Sequence, residues 1–465
     1  MEKGKVYLVG AGPGAKDLIS LRGQQLLSQA DVVIYDYLVD SQILEDVNPQ
    51  AKLICCDSLG KRQPQEGSFD AQVKVNSAMV NFAKKGKLVA RLKNGDPFIF
   101  GRAQEEIEAL LKNRIEFEVI PGITAAQAAA CFSGIPLTSR KISSSVIYVS
   151  GQEAVGEKPV IDWRSVSKNE TIVLYMAVKN IRAIAKQLIK NGKPANTPVA
   201  VISQAGRISQ KLAITELENI GKIVKEEEIT APAIFIIGLV VRLSARLNWF
   251  KKNKRVLFTG LSTKRYFLKG NYFHLPMIKI EPLDNYADFD RQLKEISGFN
   301  WIIFTSRYAV QYFFQRLNKI GFDTRLLKDA KIAAIGTSTA ARLRVLGIIA
   351  DLVPKVETSK GLLNALSKVS LKGKTIFLPH SDISDKGLAK ELKDFGAKVI
   401  GSIAYRNIVP ENFPDFDLDT FDEIIFTSPS GVRNFVKRYG KPPKKAAIKC
   451  IGRVTLEQAK KLSLL

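Results

Sequence analysis

Short apolar runs rich in β-branched residues alternate with amphipathic helical segments along most of this chain. "KVYLVG", "DVVIYD", "KLVARL" and "TIVLYM" have the run lengths of buried strands, while "AQEEIEALLKN" and "IRAIAKQLIKNG" carry helical periodicity. This alternation predicts α/β layers built on a largely parallel sheet. With 465 residues, the chain has material for about three or four compact units at roughly 100 to 200 residues each. In "LNWFKKNKRVLFTG" a helix ends in a basic, polar stretch and a new strand opens, which places a domain boundary around Asn253.

Beyond that boundary the chain repeats itself. "WIIFTSRYAVQYFFQRL" followed by "KIAAIGTSTAARL" recurs as "EIIFTSPSGVRNFVKRY" followed by "AIKCIGRVTLEQA". Each copy reads as strand, T-S turn, helix, then strand, I-G turn, helix. Two similar α/β lobes facing a cleft follow, with the turns at the carboxyl ends of strands, where open α/β sheets bind ligands. The Ser and Thr residues there also suit helix capping, and a capped helix start remains able to hold an anion.

Composition excludes several classes of function. The only histidines are His274 and His380, and Cys55, Cys56, Cys131 and Cys450 lack metal-ligand or C-x-x-C spacing, so no metal centre is expected. No apolar run reaches the ~18 residues of a membrane span. The opening "MEKGKVYLVGAG" enters a strand pattern without a signal peptide's apolar region, so a cytoplasmic location is expected. The net charge of +25 fits nucleic acid, an anionic membrane or a polyanionic small molecule and does not choose among them.

The turn "VGAGPG" resembles a dinucleotide-binding loop, and Asp36 in "VVIYDYLVD" stands where such a site holds a ribose. Yet a phosphate cradle works through converging backbone N–H groups, and Pro13 has none to give. The loop suits a ligand that needs close backbone approach without phosphate recognition, a description that S-adenosylmethionine meets. In "VARLKNGDPFIFGR" the turn at Gly95, Asp96 and Pro97 offers a carboxylate to ligand hydroxyl or ammonium groups. In "VIPGITAAQAAACFSGIPLTS" a Pro-Gly pair precedes an alanine-rich helix that permits tight contact at its start.

With these motifs in order, residues from about 3 to 250 resemble uroporphyrinogen-III C-methyltransferases of the tetrapyrrole methylase superfamily. "VGAGPG", "ADVVIYDYLV", "LGKR", "VARLKNGDPFIFGR", "VIPGITAAQAA", "GIPLTSR", "LYMAVKN", "TPVAVI" and "APAIFIIGLVVRL" carry the resemblance. It implies two α/β lobes, about 1–118 and 119–250, with S-adenosylmethionine between them, a homodimer, and methylation of uroporphyrinogen III to precorrin-2. Pro13, Asn94, Gly95, Asp96, Ile99, Thr124, Ala125, Met176 and Ala205 fall where the family contacts the donor. Asp36 and Lys61 fall on its proposed proton acceptor and donor. Asn94 and Ala205 stand where the family usually has glycine, Ala15 where an aspartate is common, and Ser139 and Gln152 where histidine is frequent.

Residues 251–465 resemble uroporphyrinogen-III synthases, through "VLFTG", "WIIFTSRYAV", "IAAIGTSTAARL", "GKTIFLP", "GAKVIGSIAYRNIVP", "EIIFTSPSGVRNFV" and "IGRVTLEQA". This implies one lobe from about 255–280 plus 408–465, another of about 281–407, and cofactor-free closure of hydroxymethylbilane to uroporphyrinogen III with inversion of its last ring. The family pattern continues past the helix after "IGRVT" into a further strand and helix. Tyr405 falls on the family's cleft tyrosine, an acid for hydroxyl departure. Thr339 and Thr455 fall on its paired turn threonines, and Thr305, Ser306, Thr427 and Ser428 supply turn hydroxyls suited to an octacarboxylate.

The expectation is therefore a bifunctional α/β enzyme, a tetrapyrrole methylase fold followed by a two-lobed synthase-like domain, binding neither nucleic acid nor membrane. The alternative is a methylase of the same fold acting on another corrinoid or on RNA, with a degenerate tetrapyrrole-binding module behind it.

Overall fold

In the computed structural model of the protein the described residues are 4–56, 68–152, 161–207, 209–263, 266, 271–384, 387–411 and 413–465. They form two compact units, Met1–Arg255 and Val256–Leu465. Among the described residues no helix is long and apolar enough to cross a membrane.

The first unit opens with five parallel strands, β1 (Lys5–Gly10), β2 (Val32–Tyr35), β3 (Lys52–Cys55), β4 (Val89–Lys93) and β5 (Glu116–Ile120), in the order β3-β2-β4-β1-β5. Side chains alternate across the sheet. Val6, Leu8, Val32, Ile34 and Val89 enter one core with helices Ser68–Lys84 and Ala103–Lys112. Val9, Val33, Ala90 and Leu92 enter a second core on the opposite face. By the same period, Arg91 and Lys93 of β4 share the face of Val89, where both are buried. Because β1 lies between β4 and β5, the chain crosses over it, and the loops after β1, β4 and β5 converge at the carboxyl ends.

The second sheet of this unit departs from the largely parallel expectation. Its strands are β6 (Val146–Ser150), β7 (Thr171–Tyr175), β8 (Pro198–Ser203), β9 (Lys211–Glu216) and β10 (Ala233–Ile237), ordered β6-β7-β10-β8-β9. Only β6 and β7 pair in parallel; β10 runs antiparallel to both β7 and β8, and β8 antiparallel to β9. The connection from Ser203 to Lys211 is too short for the crossover of a dozen or more residues that a parallel pair requires. Strand composition reports burial, whereas strand direction is decided by such connections.

In the second unit, β11 (Arg255–Phe258), β12 (Asn271–His274), β18 (Glu423–Phe426) and β19 (Ala447–Cys450) form one sheet in the order β12-β11-β18-β19. The other sheet holds β13 (Lys279–Glu281), β14 (Trp301–Phe304), β15 (Lys331–Ala334), β16 (Thr375–Ser381) and β17 (Lys398–Ile408), ordered β13-β17-β16-β14-β15. The first sheet thus joins both ends of the unit, and the repeated segments supply the parallel pairs β14–β15 and β18–β19. Phe289, Phe304, Phe313 and Phe377 pack together beneath the larger sheet.

Candidate functional site

Three loops of the first unit are knitted through their backbones. Ala11 N–H donates to the Lys93 carbonyl at 2.8 Å, and Gly12 and Gly95 exchange two hydrogen bonds, of 3.2 and 2.8 Å. Gly12 and Gly95 both lie in the left-handed region, at φ +75° and +71°, where a side chain is strained. A Cβ on Gly122 would stand 2.2 Å from the Gly95 carbonyl oxygen and 2.8 Å from Gly10 Cα. Gly95 is less crowded: a Cβ there would meet Ala125 N, Ile123 O and Thr124 Cα at 3.8 to 3.9 Å, ordinary van der Waals contact. The backbones of the three loops thus form closely packed walls at the start of helix Ala125–Ser133.

Of the donor residues expected from sequence, Thr124 and Ala125 lie beside Gly95. Asp96 serves the walls themselves, accepting from Gly122 N–H and from Phe98 N–H, both at 2.9 Å. Asn94 does not adopt the left-handed backbone that its place in a glycine-rich turn suggests; Gly95 does. Ile99, Ala125 and Ala205 pack against one apolar cluster that includes Tyr175. Met176 follows Tyr175 at φ +53° and is exposed. Pro13 is half-buried. A Cβ on the adjacent Gly14 would meet the Arg207 side chain at 3.0 Å and the Ala205 carbonyl at 3.3 Å. Arg207 crosses from the second sheet's loop to donate to the Leu38 carbonyl at 2.7 Å. Lys61 lies outside the described residues.

Asp36 directly follows β2 and is bound on both oxygens, to Arg91 Nη2 at 2.5 Å and to Asn94 N–H at 3.0 Å. Behind it lies a buried cluster that sequence reasoning missed. Glu106, fully buried, accepts from Arg91 Nε at 2.9 Å, Lys93 Nζ at 2.8 Å and Gln72 Nε2 at 3.2 Å. Burial alone would raise the Asp36 carboxyl, but the charges of Arg91 and Lys93 and the Asn94 N–H outweigh it and hold it below its ordinary range. Burial lowers Lys93, with Arg91 adding to the effect. Arg91 is held cationic: burial opposes its charge, and Asp36 and Glu106 more than offset that. Asp36 is consequently a fixed carboxylate rather than a strong base. The one available signal was the pair of cations two residues apart in the otherwise apolar "VARLK".

In the second unit the turn hydroxyls divide by role. Ser306 caps helix Arg307–Lys319 through Ala309 N–H at 2.9 Å, and Ser428 caps helix Pro429–Tyr439 through Gly431 N–H at 3.1 Å. Thr305 and Thr427 are half-buried beside them. Thr339 and Thr455 are each 3% exposed, turned into the packing of helices Thr337–Val345 and Arg453–Lys461. Tyr405, on β17, pairs its hydroxyl with Ser306 Oγ at 2.8 Å and stacks on Tyr312 at 5.6 Å. Burial raises its pKa against the hydrogen bonds of Ser306 and Ser381, so the phenol keeps its proton. The structure brings Tyr405 and Ser306 together. Among the described residues no cluster of three or more His, Cys, Asp or Glu could hold a metal ion.

Two families match the chain in succession. Tetrapyrrole (Corrin/Porphyrin) Methylases match residues 5–221, and Uroporphyrinogen-III synthase HemD matches residues 266–464. The uroporphyrinogen-III C-methyltransferase of Priestia megaterium is 45% identical over 52% of this chain and 100% of its own length. Among solved structures, the native uroporphyrin III C-methyltransferase of Thermus thermophilus is 34% identical over 52% of this chain and 100% of its own, with a TM-score of 0.45. The same enzyme complexed with S-adenyl homocysteine gives the same identity, coverage and score. The porphyrin biosynthesis protein HemD of Ruminiclostridium josui is 32% identical over 100% of this chain and 95% of its own length. The chain therefore belongs to the family of that protein, its own tetrapyrrole methylase segment followed by a uroporphyrinogen-III synthase segment.

Proposed function

We propose that the chain catalyses two consecutive steps of tetrapyrrole construction. Residues 251–465 close hydroxymethylbilane to uroporphyrinogen III, with loss of the terminal hydroxyl and inversion of the last ring. Residues 1–250 then methylate two ring carbons of that product to give precorrin-2. The observation that carries the reading is the close main-chain approach of Gly12, Gly95 and Gly122, which we read as a crevice between Gly95 and the start of helix Ala125–Ser133. Its walls are main chain and small side chains, and the proline in its first loop withholds the N–H that a pyrophosphate would need. A nucleoside sulfonium fits these demands, and S-adenosylmethionine supplies an activated methyl group there. The names of the relative that matches the first half and of the family that matches residues 266–464 support both reactions.

The chain's own groups have limited chemistry to perform. As a methyl group passes from sulfur to a ring carbon, S-adenosylhomocysteine leaves and the ring must lose a proton. Asp36, a weak base held ionised by Arg91 and Asn94, is the carboxylate assigned to receive it, and Lys61 is the assigned proton donor. Since the leaving sulfonium is already activated, positioning supplies most of the acceleration. In the second half Tyr405 protonates the departing hydroxyl of the bilane. Thr305, Ser306, Thr339, Thr427, Ser428 and Thr455 mark the turns that hold its carboxylates. The excess of cations serves these polyanionic substrates rather than nucleic acid. The protein works as a cytoplasmic homodimer joined through its methylase half.

Supplying hydroxymethylbilane without methyl donor, then oxidising and separating the isomers, tests the second half. The type III isomer is expected, and type I alone would overturn the synthase reading. Adding donor with a labelled methyl group should place two labels on each tetrapyrrole. Label entering ribosomal RNA, with none on uroporphyrinogen, would overturn the methylase reading.

A further inference from the structure

We propose that Tyr175 is a positioning residue for the adenosyl ligand: its hydroxyl replaces the Thr124 side chain as the cap of helix Ala125–Ser133 and thereby presents the Thr124 hydroxyl to that ligand as a hydrogen-bond donor. The inference rests on the reading of the crevice given above. A threonine at a helix N-cap ordinarily spends its oxygen on a backbone N–H of the first turn. Thr124 occupies that position and makes no such bond. The first-turn N–H of Ala126 goes instead to the Tyr175 hydroxyl oxygen, at 3.1 Å. Tyr175 reaches it from the end of β7 in the other sheet of the unit, 49 residues away.

Proton bookkeeping orients the pair. The Tyr175 ring is 8% exposed and packed by Phe100 at 4.9 Å and Tyr148 at 5.7 Å between centroids. Burial pushes the phenol up to about 12, so it holds its proton at neutral pH. Its oxygen already receives the Ala126 proton, and Thr124 Oγ1 lies 2.6 Å away. A phenol is the better donor and an alcohol the better acceptor, so the phenol proton goes to Thr124. The hydroxyl hydrogen of Thr124 is then left without an acceptor among the described residues, on a residue whose Cα borders the space beside Gly95. A ribose oxygen or the carboxylate of the amino-acid part of the ligand is the acceptor chemistry that completes this chain.

The test is calorimetric titration of the full chain with S-adenosylhomocysteine, which reads binding without turnover. Tyr175→Phe keeps the ring and removes the relay; it should weaken binding roughly 5- to 20-fold, as loss of one oriented hydrogen bond does. Thr124→Val should lose a similar factor, Thr124→Ser should bind as the parent does, and the KM for uroporphyrinogen III should stay within about twofold in Tyr175→Phe. The decisive comparison is the double variant Tyr175→Phe/Thr124→Val. If one relay is broken twice, it binds no more than about twofold worse than the weaker single variant. Losses that multiply, parent-like binding by Tyr175→Phe, or failure of serine to rescue would each overturn the relay. Tyr148→Phe, which trims a packing neighbour of the same ring, should leave binding unchanged; a loss equal to that of Tyr175→Phe would make the effect one of packing and likewise overturn the proposal. A parent chain that does not bind S-adenosylhomocysteine would instead remove the donor reading, and this inference with it.

Discussion

Replacing Glu106 by glutamine tests the buried charge cluster behind Asp36. Two cations, Arg91 and Lys93, and two carboxylates, Asp36 and Glu106, are interlocked there, and Glu106 is the member with no exposure at all. Glutamine keeps the shape and one acceptor but turns an NH2 donor toward one of the two cations. Removing one partner of a buried pair costs roughly 3 to 5 kcal/mol, because the other charge stays buried and uncompensated. The variant has an escape that places the loss at the lower end: Lys93, already lowered by burial and by Arg91, sheds its proton once Glu106 no longer attracts it. With a loss of about 3 kcal/mol and a urea dependence of about 3 kcal/mol per molar, the unfolding midpoint falls by about 1 M. Trp163 and Trp249 lie in the first unit and Trp301 in the second, so fluorescence in a Trp301→Phe background reports the first unit alone. The sign with pH is also fixed. A lysine neutral in the folded variant and charged in the unfolded chain makes the unfolded state bind more protons, so stability rises with pH and the deficit shrinks toward the ordinary lysine value of 10.5. A midpoint shift under roughly 0.3 M, or a deficit independent of pH, would refute the argument, because a water-filled cluster would tolerate the change.

Three further outcomes follow from the geometry. Gly122→Ala places a Cβ 2.2 Å from the Gly95 carbonyl and should weaken S-adenosylhomocysteine binding by roughly tenfold or more, read by calorimetry; unchanged affinity would contradict the crevice. Asp36→Asn should lower methyl transfer by roughly 100-fold while S-adenosylhomocysteine affinity stays within about threefold. Because the Asp36 carboxyl is held below its ordinary 3.8, it protonates only under more acidic conditions, and the parent's rate should show no inflection from it near neutral pH. Tyr405→Phe removes the hydroxyl paired with Ser306 and should slow formation of the type III isomer by roughly tenfold with an unaltered melting temperature; an unchanged isomer yield would leave Tyr405 as a packing residue.

What could be read from the sequence follows physical lines. Parallel strands buried on both faces leave apolar runs, and "KVYLVG" and "WIIF" became β1 and β14 for that reason. Main-chain crevices leave glycines, which is how Gly95 and the turn before Thr124 were found. Strand direction leaves little trace, and the antiparallel insertion of β10 between β7 and β8 was missed. Charges that face inward look in a sequence like charges that face water, so nothing in it marks Arg91, Lys93 and Glu106 as one buried cluster. Tyr175 and Arg207 were missed for another reason: each acts through a contact 51 and 169 residues away respectively, and no local pattern encodes a partner at that distance.

The duplication in the second unit is symmetric in fold and asymmetric in chemistry. Both copies close their T-S helix with a serine, Ser306 in one and Ser428 in the other. Their I-G helices both start from glycine caps, Gly336 and Gly452, which have no side chain to accept a backbone proton. In the first copy another part of the chain fills the gap: the Glu357 carboxylate accepts from Thr337 N–H at 3.1 Å and from its hydroxyl at 2.7 Å. A Cβ on Gly336 would stand 2.3 Å from that carboxylate, so a side chain there would push the cap aside. In the second copy no side chain among the described residues caps helix Arg453–Lys461, and Gly452, Arg453 and Val454 are exposed. A helix start concentrates about half a positive charge on its free N–H groups. The first copy neutralises that charge internally, whereas the second leaves it facing solvent, beside an Arg453 guanidinium that donates to Glu457 on the same helix at 3.0 Å. The two copies therefore share a fold and differ in how the same helix start is satisfied, and the difference is made by Glu357, a residue outside the repeated segments.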